Sequence, residues 1–201
     1  MARDAWYFLV PLILLAGVAF AFALWWPGLI LLLLAGFVVF FFRDPERDVP
    51  DGVESAVSPA DGRVIAIEPT EQGHRLSIFL SVFNVHVNRA PIGGEITREE
   101  YKKGKFLLAF DARASVENEQ LIFTIRGERE LTFALIAGIL ARRIVPWKKL
   151  GDKVSKGDRI ALIRFGSRVD MMLPPDCEVM VRKGEKVYAG RSIIARWREK
   201  A

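Results

Sequence analysis

The chain has 201 residues, 51% of them apolar and 26% charged, with a net charge of +5. No charged residue occurs between Ala5 and Phe42, and Arg3 and Asp4 ahead of that stretch cancel, so the whole net charge belongs to residues 43–201. Segregation this sharp excludes a freely soluble protein, and a single cysteine, Cys177, excludes an intramolecular disulfide.

The apolar stretch is two runs, Ala5–Trp26 and Leu29–Phe42, parted by Pro27-Gly28. A bilayer core of about 30 Å takes about 20 helical residues, so the first run is long enough to span. The second, at 14 residues, is short for it. The pattern predicts a helical membrane hairpin over residues 1–42 that turns at Pro27-Gly28. Arg3 precedes it and Arg43 and Arg47 follow, which puts both ends on the cytoplasmic face of the cell (inner) membrane. Trp6, Tyr7, Trp25 and Trp26 then lie near the two interfaces. A cleaved signal peptide has a shorter apolar region and a small-residue cleavage site.

Residues 43–201 are enough for one domain with a real core. Short alternating runs broken by Gly, Pro, Asp and Asn predict a mainly β domain. Asp61-Gly62 reads as a turn opening a strand over Arg63–Glu68, followed by strands over Leu76–Val87, Leu121–Arg126 and Leu131–Ile136, with a hairpin turn at Gly127-Glu128. Of the two histidines, His74 sits in a polar, turn-like stretch. His86 alternates with Asn84 and Asn88 between Val85 and Val87, so a strand there carries all three on one polar face. A plain exposed strand face accounts for that pattern as well as a site does. No Cys/His cluster has zinc spacing, and no basic stripe interleaved with aromatics indicates nucleic acid. Anionic lipid is the better partner for the basic surface, with Arg43, Arg47, Lys102, Lys103, Lys105, Arg142, Arg143, Lys148 and Lys149 as candidates.

Toward the C-terminus an internal repeat appears. Gly151–Ile160 aligns with Gly184–Ile193 at an offset of 33 residues with five of ten positions identical. Each copy reads as turn, short strand, turn, and the duplication resembles the two half-motifs of a biotinyl/lipoyl-like barrel-sandwich. Between the copies, Gly166-Ser167 interrupts strand-like residues, which predicts a bulge that exposes the Gly166 carbonyl to the Ser167 hydroxyl.

Six segments in order then carry a family resemblance: Phe41-Phe-Arg-Asp-Pro-Glu-Arg47, Ser58-Pro-Ala-Asp-Gly62, Phe83-Asn-Val-His-Val-Asn-Arg-Ala-Pro91, Gly104-Lys-Phe106, Ser115 with Asn118-Glu119, and Arg164-Phe-Gly-Ser167. Together they resemble the phosphatidylserine decarboxylase proenzymes of the short bacterial type. The resemblance implies cleavage between Gly166 and Ser167 into a β chain of residues 1–166 and an α chain of residues 167–201. The two stay together as a heterodimer, with higher oligomers left open. It implies that Ser167 attacks the Gly166 carbonyl and ends as a pyruvoyl group, the only cofactor required. His86 is implied as the base for self-cleavage and Asp61 as its orienting partner. Longer relatives carry two histidines around this motif, whereas here His86 stands alone with Arg89 nearby. The pyruvoyl carbonyl is then expected to form a Schiff base with membrane phosphatidylserine and yield phosphatidylethanolamine and carbon dioxide.

Two other classes compete. A biotin or lipoyl carrier needs a lysine at the turn between the half-motifs, where this chain has Ser167-Arg-Val-Asp-Met-Met-Leu173; a non-catalytic adaptor on the same fold needs none. A membrane-bound serine hydrolase predicts an intact chain with a free Ser167 hydroxyl.

Overall fold

The computed structural model describes residues 1–105, 107–108, 113–138, 143–164 and 166–197. The chain divides into two compact units, Met1–Glu46 and Arg47–Ala201.

The first unit is a pair of helices, α1 (Trp6–Ala21) and α2 (Trp25–Phe41), preceded by a 3-10 turn at Arg3–Ala5. The Ala2 N–H donates to the Phe42 carbonyl at 2.8 Å, so the two ends of the unit lie side by side. The reversal falls at Phe22–Leu24, where Ala23 takes φ +56°, and not at Pro27-Gly28. Pro27 instead occupies the first turn of α2, where a missing N–H costs nothing because that donor has no helical partner. Residues Arg3–Ala21 are long and apolar enough to cross a membrane by length and composition, while Trp25–Phe41 is a shorter apolar helix.

The second unit is mainly β, as expected. Its strands are β1 (Ser55–Val57), β2 (Gly62–Thr70), β3 (Gly73–Leu80), β4 (Val87–Arg89), β5 (Gly94–Lys102), β6 (Gln120–Arg126), β7 (Glu130–Ala137), β8 (Ile144–Pro146), β9 (Lys153–Val154), β10 (Arg159–Ile163), β11 (Ser167–Leu173), β12 (Cys177–Val179), β13 (Lys186–Val187) and β14 (Ile193–Trp197), with one short helix, α3 (Ala114–Glu117). An eight-stranded antiparallel sheet runs β13-β2-β3-β11-β7-β6-β5-β9, and two three-stranded sheets run β1-β14-β12 and β4-β10-β8. Period-two alternation sends Leu121, Phe123 and Ile125 of β6, Leu131, Phe133 and Leu135 of β7, and Val169, Met171 and Leu173 of β11 into one core with residues of the smaller sheets. The β6–β7 hairpin closes where the sequence predicts it, with Arg126 opposite Glu130 and the Gly127 N–H bonded to the Arg129 carbonyl at 2.9 Å.

Three local expectations are corrected. The predicted strand Leu76–Val87 is two strands, because Asn84 folds its side chain back and its Oδ1 accepts the Ser81 N–H (2.9 Å) and hydroxyl (2.8 Å). His86 therefore precedes β4 and does not sit on a strand face. His74 lies in β3 and is half-buried, since the β2–β3 turn is tighter than its polar sequence suggests. Gly166 is a corner between strands of two different sheets, β10 and β11, and not a bulge within one strand.

The repeat is a structural repeat. Its two copies place β9 and β13 at opposite ends of the large sheet and then lead into β10 and β14, the central strands of the two small sheets. Gly151 and Gly157 in one copy, and Gly184 and Gly190 in the other, all take left-handed φ between +72° and +91°. The copies meet: a Cβ at Gly190 would stand 3.6 Å from the Gly157 Cα.

Candidate active site

Ser167 opens β11 and shares its parity with Val169 and Met171, so it faces the core. The residue is fully buried and, among the described residues, its hydroxyl oxygen has no hydrogen-bond partner, which is costly for a hydroxyl without a function. β3 and β7 flank the strand on either side, with Leu80 and Ala137 opposite Ser167.

The residue before it is held at both ends of its backbone. The Gly166 N–H donates to Nε2 of His86 at 3.3 Å, and the Gly166 carbonyl accepts the Gly138 N–H at 3.2 Å. Gly166 adopts φ +63°, and none of the described residues beyond its chain neighbours lies within 4 Å of where its Cβ would be. Glycine is thus favoured here by the left-handed turn and not by crowding.

His86 is fully buried. Its Nδ1 lies 2.9 Å from the Asn84 carbonyl, which accepts only a proton, so the lone pair of the neutral ring is at Nε2, on the Gly166 side. The His86 carbonyl accepts the Ile163 N–H (3.2 Å) and the Asn88 side-chain amide (3.0 Å), and these bonds fix the His86 backbone to β10 and β4. His86 and Gly166-Ser167, 80 residues apart in sequence, are therefore brought together.

Asp61 belongs to the loop between β1 and β2. Its carboxylate accepts Arg47 Nη2 at 2.9 and 3.0 Å and the Ala189 N–H at 2.8 Å. The same loop reaches the histidine segment through the Pro59 carbonyl, which accepts the Arg89 N–H at 2.9 Å. Arg47, read above as a lipid-facing cation, is nearly buried against Asp61, and Arg142 lies outside the described residues. Arg89 is also turned inward, donating to the Gly157 carbonyl at 2.9 Å.

Sequence reasoning attached no role to Arg47 beyond charge and none to Asn118 or Gly138. Asn118 is buried, and its Nδ2 donates to the carbonyls of Leu107 (2.9 Å) and Ala137 (2.8 Å) while its Oδ1 accepts the Leu107 N–H (2.9 Å). Its place in a family-like segment beside Glu119 was the available signal. Among the described residues, no group of three or more His, Cys, Asp or Glu side chains could hold a metal ion.

Ser167 is thus a buried serine, directly behind a glycine whose carbonyl and N–H are both held. The matching family model is that of phosphatidylserine decarboxylase, over residues 34–195. A phosphatidylserine decarboxylase proenzyme of Solibacter usitatus is 53% identical over 167 residues, covering 83% of this chain and 81% of that protein. One of Symbiobacterium thermophilum is 47% identical over 98% of this chain and 95% of its own length, and one of Cupriavidus pinatubonensis 40% identical over 97% and 94%. The chain belongs to the phosphatidylserine decarboxylase family.

Proposed function

We propose that this protein is a self-processing, pyruvoyl-dependent decarboxylase that converts phosphatidylserine to phosphatidylethanolamine and carbon dioxide in phospholipid synthesis. The observation that carries this reading is the buried, unpartnered Ser167 hydroxyl next to a Gly166 backbone bonded to His86. No feature of the site favours a carrier, an adaptor or a hydrolase acting on other chains.

In self-cleavage the Gly166 N–H lets go of His86 Nε2, whose freed lone pair takes the Ser167 hydroxyl proton as Oγ attacks the Gly166 carbonyl carbon. Collapse releases the Ser167 nitrogen and leaves an ester between the two residues. β-Elimination then frees the Gly166 carboxylate and leaves dehydroalanine at position 167, and hydrolysis of its enamine releases ammonia and forms the pyruvoyl group. Asp61 contributes by orienting His86 through its loop, which Arg47 and the Ala189 N–H hold and which bonds Arg89. When formed, the carbonyl at position 167 supplies an electron sink for the charge left as carbon dioxide departs. β3 and β7 keep that position in place on both sides after the cut.

The α chain of residues 167–201 and the β chain of residues 1–166 form a heterodimer in this reading, on a barrel-sandwich built from the two repeats. The helix pair is the membrane hairpin: large apolar side chains such as Leu14, Leu33 and Trp26 are 64, 67 and 77% exposed on it, an arrangement suited to lipid. With Arg3 before it and Arg43 after it, the catalytic domain lies on the cytoplasmic face of the cell membrane. A tethered domain suits a diacyl lipid that stays in the bilayer.

The deciding experiment is the intact mass of the purified chain under denaturing conditions, with and without borohydride, alongside Ser167→Ala. Two fragments meeting at Gly166/Ser167, a borohydride-reducible α chain, carbon dioxide release from phosphatidylserine and an uncut variant are the expected set. A whole wild-type chain, or a cut Ser167→Ala chain, overturns the reading.

A further inference from the structure

We propose that the Gly138 N–H is the oxyanion donor of self-cleavage and that Asn118 is the positioning residue that aims it. The inference rests on the self-cleavage reading and adds the group that takes the charge.

When Ser167 Oγ bonds to the Gly166 carbon, the carbonyl π pair moves onto the Gly166 oxygen while the hydroxyl proton passes to His86 Nε2. That negative oxygen exists only until the carbon–nitrogen bond to Ser167 breaks and the departing nitrogen takes the proton back. A donor aimed at it is worth more in that state than in the resting amide. The Gly138 N–H already points at this oxygen, 3.2 Å away. The reciprocal bond of a regular antiparallel pair is not made, because the Gly166 N–H is turned to His86. The β7–β11 ladder thus ends in one bond directed at the scissile carbonyl.

The other end of the same peptide unit is the Ala137 carbonyl, and Asn118 Nδ2 donates to it at 2.8 Å. A peptide unit is planar, so fixing its carbonyl direction fixes the direction of its N–H. Donation to the carbonyl also polarises the amide and strengthens its own N–H as a donor. Asn118 cannot turn away: both Nδ2 hydrogens and Oδ1 are engaged, and a flipped amide would set Oδ1 against the Leu107 and Ala137 carbonyls. The Ala137 N–H is held as well, by the Glu119 carbonyl at 3.0 Å.

Gly104 completes the device. Lys105 pairs with both sides of Asn118, its N–H on the Glu117 carbonyl (2.7 Å) and its carbonyl on the Glu119 N–H (3.0 Å). A Cβ at Gly104 would lie 2.4 Å from the Asn118 carbonyl carbon, so the approach needs glycine. Two family-like segments, Gly104-Lys105 and Asn118-Glu119, thereby serve one purpose: a rigid backing for the Ala137–Gly138 peptide.

The test follows self-cleavage of the full chain from its synthesis in a cell-free system with lipid vesicles, by mass and by capture of the ester with hydroxylamine. One variant replaces Gly138 with glycolic acid, which exchanges the N–H for an oxygen; the other is Asn118→Asp, which puts an acceptor against the Ala137 carbonyl. We expect the first to slow cleavage about 10²-fold, as loss of one oxyanion donor does elsewhere, and the second at least about tenfold. Both should lower the hydroxamate captured at Gly166, which its mass tells apart from one formed at the glycolate ester after Ala137, and both, placed in Ser167→Ala, should keep cooperative melting of the precursor. Cleavage of the glycolate variant at the wild-type rate, or slow cleavage with ester accumulating, overturns the inference. A wild-type chain that stays whole overturns the self-cleavage reading and this inference with it. Wild-type cleavage with unaffected variants overturns this inference alone.

Discussion

At Gly166 the backbone turns left-handed in open space, so a methyl group there meets strain and no collision. Gly166→Ala should therefore cost the precursor about 1–2 kcal/mol and slow self-cleavage without abolishing it, measured as the Tm of the Ser167→Ala form and the half-time of cutting. Abolition with an unchanged Tm would point to crowding. His86 is different in kind, since its Nε2 carries the lone pair at Gly166. His86→Ala should slow cutting by about 10²-fold or more, the usual worth of a positioned base, and a near-normal rate would remove it from the mechanism. Asp61→Asn leaves Arg47 nearly buried without its counter-charge, so it should lower both stability and cutting rate, and the smaller cutting defect distinguishes an indirect partner from the base itself.

At the level of the element, β11 has two unlike faces. Val169, Met171 and Leu173 enter the core, while on the other face Arg168 bonds Asp170 through Nε (2.6 Å) and Nη2 (3.1 Å) and donates from Nη2 to the Ser77 hydroxyl (2.8 Å). Both charged side chains are almost wholly buried. Removing one partner leaves the other uncompensated, so Asp170→Ala should cost about 3–5 kcal/mol by denaturant unfolding. A loss below about 1 kcal/mol would mean that water reaches Arg168. The pair begins one residue after Ser167, so in the proposed reading it would also anchor the α chain where its new end forms.

Across the whole molecule the segment after Ser167 is woven into the rest. β11 lies between β3 and β7, β13 pairs with β2, and β14 pairs with β1. Cutting at Gly166 would leave all of these ladders unbroken, so the two chains should co-purify in mild detergent at high salt and separate only in denaturant. Separation in salt alone would contradict this. The helix pair predicts, in turn, that the full chain stays with membranes through alkaline carbonate extraction.

Much of this was legible in linear form, because the signals are local. Apolar runs mark helices, alternation marks β6 and β7, paired glycines mark the repeat, and Gly166-Ser167 marks the break ahead of β11. What stayed hidden depends on which distant strands become neighbours. Asn118 meets Ala137, Gly138 meets Gly166, and Arg47 meets Asp61 through register between segments 14 to 28 residues apart. A polar side chain in sequence carries no sign of which backbone group it will satisfy. Composition and short-range pattern were enough to set the mainly β class and to single out Gly166-Ser167, whereas the hydrogen-bond partners of Gly166, Asp61 and His86 exist only once burial forces each polar group to find a partner.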